Sequence, residues 1–282
     1  MTLRIALRGV FKPRLSVFGA KYLPSARRKD ARADVILAWF PKTGGTWTRL
    51  LLGAALAEDS EDRDLLDLET LTVGRPDLPI IRPLHEDEPH WKRPEQLTRS
   101  KARWRHKKVI LLIRDPRDTM VSLYFQMTRR WKVTTKPMDE LIWDRRGGLE
   151  TMLAYYNIWA DQRHVPKDLL LVRYEDLHAD TPAQLSRMVS FLGVDRDEAT
   201  VQKAVEASRF SRMRKRESAG EFSSSRLRAG IANDPESLKA RKGKVGGYVD
   251  YLSEAQVTKI EARVNEALNP WYGYAAVAKG SP

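Results

Sequence analysis

The 282-residue sequence contains no cysteine. That absence excludes a disulfide framework, a thiolate nucleophile, cysteine-ligated zinc and iron–sulfur chemistry, and it leaves stability to packing. Long apolar runs are also lacking. Stretches such as "VILAWF" and "VILLI" fall far short of the roughly 20 residues that span a bilayer, so a soluble, cytoplasmic protein is expected. No internal repeat or low-complexity block interrupts the chain. There is no H-E-x-x-H or comparable ligand spacing, so no metal is expected.

What is abundant is positive charge. Fifty Lys and Arg against 37 Asp and Glu leave a formal charge of +13. Such a surplus implies either a solvated basic surface or an anionic partner: nucleic acid, an acidic membrane, an acidic glycan or a polyphosphorylated nucleotide. Residues 1–32 form a basic, amphipathic arm, but Arg4, Arg8, Lys12 and Arg14 interrupt any signal-peptide core and Pro13 limits a continuous helix. The arm reads as docked on the domain or in weak contact with a membrane surface. Residues 33–282 suit one α/β domain in length.

The short β-branched and aromatic run "DVILAWF", 34–40, reads as a buried strand, and "TWTRLLLGAALAE", 46–58, reads as a helix. "LPIIRPLH", 78–85, is a weaker strand candidate, and "KKVILLIR", 107–114, a strong one. "DPRDTMVSLYFQMTRRW" follows as a helix with Pro116 in its first turn, where a missing N–H costs nothing. Then come a helix in "LETMLAYYNIWADQRH", a strand in "DLLLVRYEDL" and a helix in "TPAQLSRMVSFLG". This alternation predicts a single P-loop-like α/β domain, its central parallel sheet flanked by helices and its ligands outside the carboxyl ends of the strands.

Three segments carry chemistry. In "FPKTGGTWTRLLL" a glycine pair sits between strand and helix, where backbone N–H groups approach a phosphate, although such pairs also serve as plain turns. The Walker pattern requires its lysine after the glycines, and Lys42 precedes them. In "LLIRDPRDTMVSLYF" a strand delivers Arg114, whose planar fork suits bidentate phosphate binding, and a helix brings Ser122 to the same edge. Arg114, Asp115, Arg117 and Asp118 equally suit a surface ion-pair cluster. The third, "LKARKGKVGGYVDYLS", 238–253, is a basic glycine-rich loop: a linker, a nucleic-acid patch or a phosphate clamp.

Together and in this order, the segments resemble the sulfotransferase family that uses 3′-phosphoadenosine 5′-phosphosulfate (PAPS). The family's P-K-[ST]-G-[TS]-[TS]-W loop compares with "PKTGGTW", its R-[ND]-P-[KR]-D with a serine eight residues after the arginine compares with "RDPRDTMVS", and its R-K-G-x-x-G compares with "RKGKVG" at 241–246. "RYEDL" at 173–177 and "SRFSRM" at 208–213 are weaker echoes. The resemblance implies that Lys42, Thr43, Gly44, Gly45 and Thr46 hold the 5′-phosphate, with Lys42 also catalytic beside the sulfuryl group. It implies further that Trp47 stacks on adenine, unless it is helix core. Arg114, Ser122, Arg241, Lys242 and Gly243 would take the 3′-phosphate. Tyr174, Ser208 and Phe210 would meet the adenine, or simply pack. Gly45 departs from the pattern, since the family often has a hydroxyl there.

A base must accept the acceptor's hydroxyl proton. The family commonly uses a histidine in a K-T-H strand end, and the corresponding region here is "IIRPLHEDEPHW". His85 ends the apolar run and is the favoured base, oriented by Glu86 or Asp87. His90 lies beyond it in what reads as a polar loop, and Glu86 or Asp87 is a further alternative base. The family's lysine is replaced by Pro83, with Arg82 beside it as partial electrostatic substitute. His106, His164 and His178 read as surface residues.

The partner expected is a hydroxyl-bearing acceptor and not nucleic acid. Trp91, Trp131, Trp143 and the 214–235 segment are candidates for shaping its pocket. The sequence leaves oligomeric state open, and the family's C-terminal dimer motif is not evident. A P-loop-like nucleotide kinase or NTPase, and a basic module binding an anionic polymer, are the rival readings.

Overall fold

The computed structural model describes residues 29–57, 64–219 and 234–274. The basic arm lies outside these residues except for 29–32, as does the 220–233 part of the segment assigned to the acceptor pocket.

Four parallel strands, β1 (Val35–Trp39), β2 (Ile81–Leu84), β3 (Lys108–Ile113) and β4 (Asp168–Arg173), form one sheet in the order β2-β1-β3-β4. The two central strands show why both read as unbroken apolar runs. Successive side chains of a strand point to opposite faces. Ile36, Ala38, Phe40, Val109, Leu111 and Ile113 therefore enter one core, while Val35, Leu37, Trp39, Ile110 and Leu112 enter the other. A sheet buried on both faces needs apolar residues at every position.

Helices supply both covers. Over the second core lie α1 (Gly45–Leu56), the short α2 (Leu68–Thr72) and, further along the chain, α7 (Thr181–Leu192) and α8 (Glu198–Ala207). Over the first lie α3 (Pro116–Phe125), α4 (Met138–Ile142), α5 (Leu149–Asp161) and, near the end, α10 (Glu254–Ala267). Two further helices, α6 (Tyr174–Ala179) and α9 (Phe210–Ser218), stand at the carboxyl edge. Asp115 caps α3 by accepting from the Arg117 N–H, Pro116 occupies its first turn, and Gly193 closes α7 in a left-handed conformation, as the sequence signals require.

One expected element is shorter than its sequence suggested. The strand in "DLLLVRYEDL" stops at Arg173, and "YEDL" opens α6. Glu175 and Asp176 fall in that helix's first turn, where the helix dipole favours negative charge.

The strand order reverses between β1 and β3. β1 leads outward to β2, and the chain then crosses back to β3 and β4. Loops after the two central strands diverge at such a point and leave a crevice.

Candidate active site

A cavity of about 430 Å³ occupies that crevice. Its wall includes Lys42, Gly44, Gly45, Thr46 and Trp47 from the first segment, Arg114 and Ser122 from the second, and Arg241, Lys242 and Gly243 from the third, with His85, Tyr174 and Phe210. Thr43 and Ser208 are the two expected site residues that do not line it.

The loop after β1 is shaped by its neighbours. Gly44 adopts φ 101°, and a Cβ there would lie 2.8 Å from the Tyr174 ring. At Gly45 a Cβ would lie 2.3 Å from the Trp39 indole. That contact explains why this position carries no hydroxyl: any side chain would collide with Trp39, whose ring packs edge-on against His85 at 5.1 Å. Gly44 offers α1 no side-chain cap, so the first N–H groups of the helix, which have no intrahelical acceptor, are left for a ligand. Thr43 departs from expectation. Its hydroxyl donates to the Phe40 carbonyl at 2.9 Å and its backbone N–H to the same carbonyl at 3.4 Å, and the residue is buried, so both donors are already engaged.

Lys42 also has a positive φ, 78°, a conformation costing a non-glycine residue roughly 1–3 kcal/mol. Its Nζ donates to Gln126 Oε1 at 3.0 Å. Gln126 begins a π-helical turn, Gln126–Arg130, that continues α3, and such wide turns often re-aim side chains at functional sites. Burial, followed by the charges of Lys239, Arg130 and Arg241, pushes the Lys42 ammonium well below its ordinary pKa, with Glu217 opposing. The free cavity thus holds cations that repel one another.

On the opposite wall, Arg114 stacks its guanidinium 4.2 Å from the Tyr174 ring centre and donates to Asp118 and to the Lys244 carbonyl. Asp118 is buried and also accepts from the backbone N–H groups of Gly246 and Tyr248. It therefore fastens the third segment onto α3. The ion-pair cluster exists as well: Arg117 pairs with Asp115 and Glu261. The cluster is structural, whereas Arg114 faces the cavity. Arg241 pairs with Glu236, and Lys242 with Asp250.

The aromatic residues close the far end. Trp47 donates from Nε1 to the Ser208 carbonyl at 3.0 Å and meets Tyr174 edge-on at 5.8 Å. Ser208 is buried and touches Trp47 through its backbone. Phe210 lies against Gly243, where a Cβ would be 2.4 Å from its ring. His178, though exposed like His106 and His164, places Nε2 2.8 Å from the Gly243 carbonyl.

His85 lies half-buried on the cavity wall. Burial first, then His90, Lys239, Lys42 and Arg49, holds its imidazole well below the usual pKa. The expectation that Glu86 or Asp87 orients it is overturned. Glu86 is buried and pairs with Lys101 at 2.7 Å and with Arg103 at 3.3 Å; Asp87 accepts from Thr98 and binds Lys92. Successive residues at a strand end point opposite ways, so when His85 faces the cavity its neighbour faces the core. The same ties remove both carboxylates as bases. Arg82 is likewise engaged, with Glu69 at 2.9 Å and Asp30 at 3.3 Å. Lys239 lines the same cavity as Lys42 and His85 and contributes to the lowering of both.

His90 is buried rather than loop-exposed, because Pro89 opens a 3-10 turn that folds it back to 5.5 Å from His85, ring to ring. Trp91 and Trp131 stack on each other at 5.6 Å, and Trp131 reaches the cavity. Trp143 packs instead on the first core under Lys259.

Sequence reasoning missed Gln126, Lys239 and Glu217. Lys239 stood inside the quoted third segment. Glu217, buried on α9, accepts from Arg130 and from the backbone N–H groups of Lys239 and Ala240. No local pattern marks it, since its partners are 22 residues or more away.

The chain is similar to known proteins along most of its length. A family model described as "Sulfotransferase domain" matches residues 32–271. The chain is 28% identical over 273 residues to cytosolic sulfotransferase 14 of Arabidopsis thaliana, covering 83% of this chain and 75% of that protein. It is 23% identical over 259 residues to a flavonol 3-sulfotransferase of Flaveria bidentis, covering 83% and 81%. Among solved structures, a mouse sulfotransferase complexed with PAP superposes with a TM-score of 0.60 at 20% identity over 88% of this chain and 90% of that one. A retinol dehydratase in complex with retinol and PAP gives 0.61 at 20% identity, over 93% and 88%.

Proposed function

The chain belongs to the sulfotransferase family, and from that premise we propose that it transfers a sulfuryl group from PAPS to a hydroxyl of a small acceptor, with His85 as base. One observation carries the reading: the uncapped N-terminus of α1, the Arg114 wall and His85 meet in a single cavity. The donor carries roughly four negative charges, its phosphomonoester contributing about −1.5 to −2. Two separated cationic walls suit it.

Each residue then has a task. The Lys42 side chain and the backbone of Gly44, Gly45 and Thr46 at the start of α1 hold the 5′-phosphate. Arg114, Ser122 and the Arg241–Gly243 loop hold the 3′-phosphate, and Trp47 and Phe210 flank the adenine. His85 accepts the acceptor's hydroxyl proton as that oxygen bonds to sulfur and the bond from sulfur to the 5′-phosphate oxygen breaks, releasing adenosine 3′,5′-bisphosphate. Lys42 neutralises the charge growing on the departing oxygen. Trp39, Leu84, Trp131 and Met213 wall the side next to His85, which suits an apolar body bearing the hydroxyl. A Walker-type kinase reading fails on the order of lysine and glycines.

Calorimetry tests the donor site. Adenosine 3′,5′-bisphosphate should bind far more tightly than AMP, and Arg114→Ala should erase about 10–100-fold of that preference, the worth of one charge-assisted hydrogen-bonding contact. Equal affinities in the unaltered protein would sink the assignment. A screen of hydroxyl acceptors with labelled donor tests the transfer.

Binding should also take up protons. Lys42 is held low in the free cavity, and a bound phosphate raises it again. Between those two values the lysine is neutral when free and charged when bound, so affinity falls as pH rises through that window. Calorimetry in buffers of different ionisation heat would show the uptake, and Lys42→Met should remove it.

A further inference from the structure

Besides the donor cavity, the turn after β2 gathers His85, Glu88 and His90, and one ligating atom from each lies within 4.8 Å of the other two. Two consecutive residues with positive φ, Asp87 at 68° and Glu88 at 50°, reverse the chain and bring residues 85 and 90 together. His90 is 2% exposed. Its Nε2 faces the Glu88 carboxylate at 3.8 Å, and its Nδ1 is buried with no hydrogen-bond partner among the described residues. A buried ring nitrogen without a partner is costly unless something binds it. His85 and Glu88 both open on the cavity.

We propose that His85, Glu88 and His90 form a binding site for a divalent transition-metal ion of the zinc type. Two imidazole nitrogens and one carboxylate oxygen are a ligand set that zinc takes, with a fourth position left for water. Ligands on a tetrahedral zinc at about 2.0–2.1 Å stand roughly 3.4 Å apart. The three atoms, now within 4.8 Å of one another, need to close by at most about 1.4 Å to reach that spacing, and Glu88, whose side chain is 64% exposed, is free to move.

The consequence for catalysis rests on His85 being the base. The lone pair that accepts the hydroxyl proton is the one the metal takes. An occupied site therefore silences transfer while leaving the phosphate-binding walls unaltered, which makes the ion an inhibitor and not a cofactor.

The test uses tag-free, full-length protein and two readouts. Titration with Co²⁺, followed by its visible absorption, and with Zn²⁺ by calorimetry should show one ion bound per chain. His90→Ala and Glu88→Gln should each weaken it by about 10–100-fold or more, since outer-shell partners alone account for that much. Glu88 is exposed at a turn, so its variant reports even where the buried His90→Ala unfolds. In the second readout, Zn²⁺ should inhibit transfer by the unaltered protein, and Glu88→Gln should need a correspondingly higher concentration. Undiminished metal affinity in Glu88→Gln and in any folded His90→Ala overturns the site. Loss of binding without any effect of Zn²⁺ on transfer keeps the site and overturns its link to His85. Since metal binding is read with no donor or acceptor present, failure of the sulfotransferase reading is a separate outcome.

Discussion

Replacing His85 with alanine is expected to lower kcat by roughly 10²–10⁴-fold, the usual worth of a positioned general base, and to leave the affinity for adenosine 3′,5′-bisphosphate unchanged. The two effects separate because His85 sits at the end of β2, apart from the loops after β1 and β3 that we propose hold the phosphates. Burial first, then the neighbouring His90 and cations, holds its imidazole well below the usual histidine pKa, which favours the neutral ring whose lone pair can accept a proton. The acid limb of the rate profile should accordingly lie below the pKa of about 6.5 of an ordinary histidine. Single-turnover transfer and product calorimetry on the same variant decide the matter. A variant that still transfers at the original rate would move the base elsewhere, and one that loses product binding as well would make His85 a structural residue.

Glu217→Ala should cost about 3–5 kcal/mol of stability, the penalty for removing one member of a buried charge pair. The Glu217 side chain is fully buried against Arg130, which is only 8% exposed. The same carboxylate accepts from the N–H groups of Lys239 and Ala240, so its loss strips acceptors from two backbone donors that water reaches poorly. Because those residues lead directly into Arg241–Gly243, donor affinity should fall together with the denaturation midpoint. Glu217→Gln keeps an acceptor oxygen and most of the shape, and should recover part of both. Unchanged stability in the alanine variant would show that other groups hold this segment in place.

How legible the protein was depended on the range of the interaction. The central strands were plain because burial on both faces makes every position of β1 and β3 apolar, and the helix limits at Pro116 and Gly193 followed from backbone rules that act within a few residues. The end of β4 was misjudged because "RYEDL" continues the strand's length while its carboxylates serve the start of α6. At the site, the loops holding Lys42, Arg114 and Arg241 each carried a local pattern; the first two meet because a parallel sheet sends its strand ends to one edge, and Asp118 fastens the third to them.

Thr43 shows the limit from the other side. A threonine in a phosphate loop suggests a hydroxyl donor, but only the packed structure reveals that this hydroxyl is turned to the Phe40 carbonyl. Gly45 is similar: its missing side chain is set by Trp39, a residue of the preceding strand whose indole happens to fill that space.

The sequence by itself determined the α/β alternation and the positions of the three segments that line the cavity, because each rests on periodicity, charge or spacing along the chain. Only the tertiary structure decided what surrounds those residues. Gln126 reaches Lys42 through a π-helical turn, Lys239 joins Lys42 on the cavity wall, Arg82 pairs with Glu69, Glu86 turns away to Lys101, and His90 folds back beside His85. These are contacts between groups that sequence order does not bring together or, for neighbours such as His85 and Glu86, does not orient. The energy that selects them comes from burying and pairing charge in three dimensions.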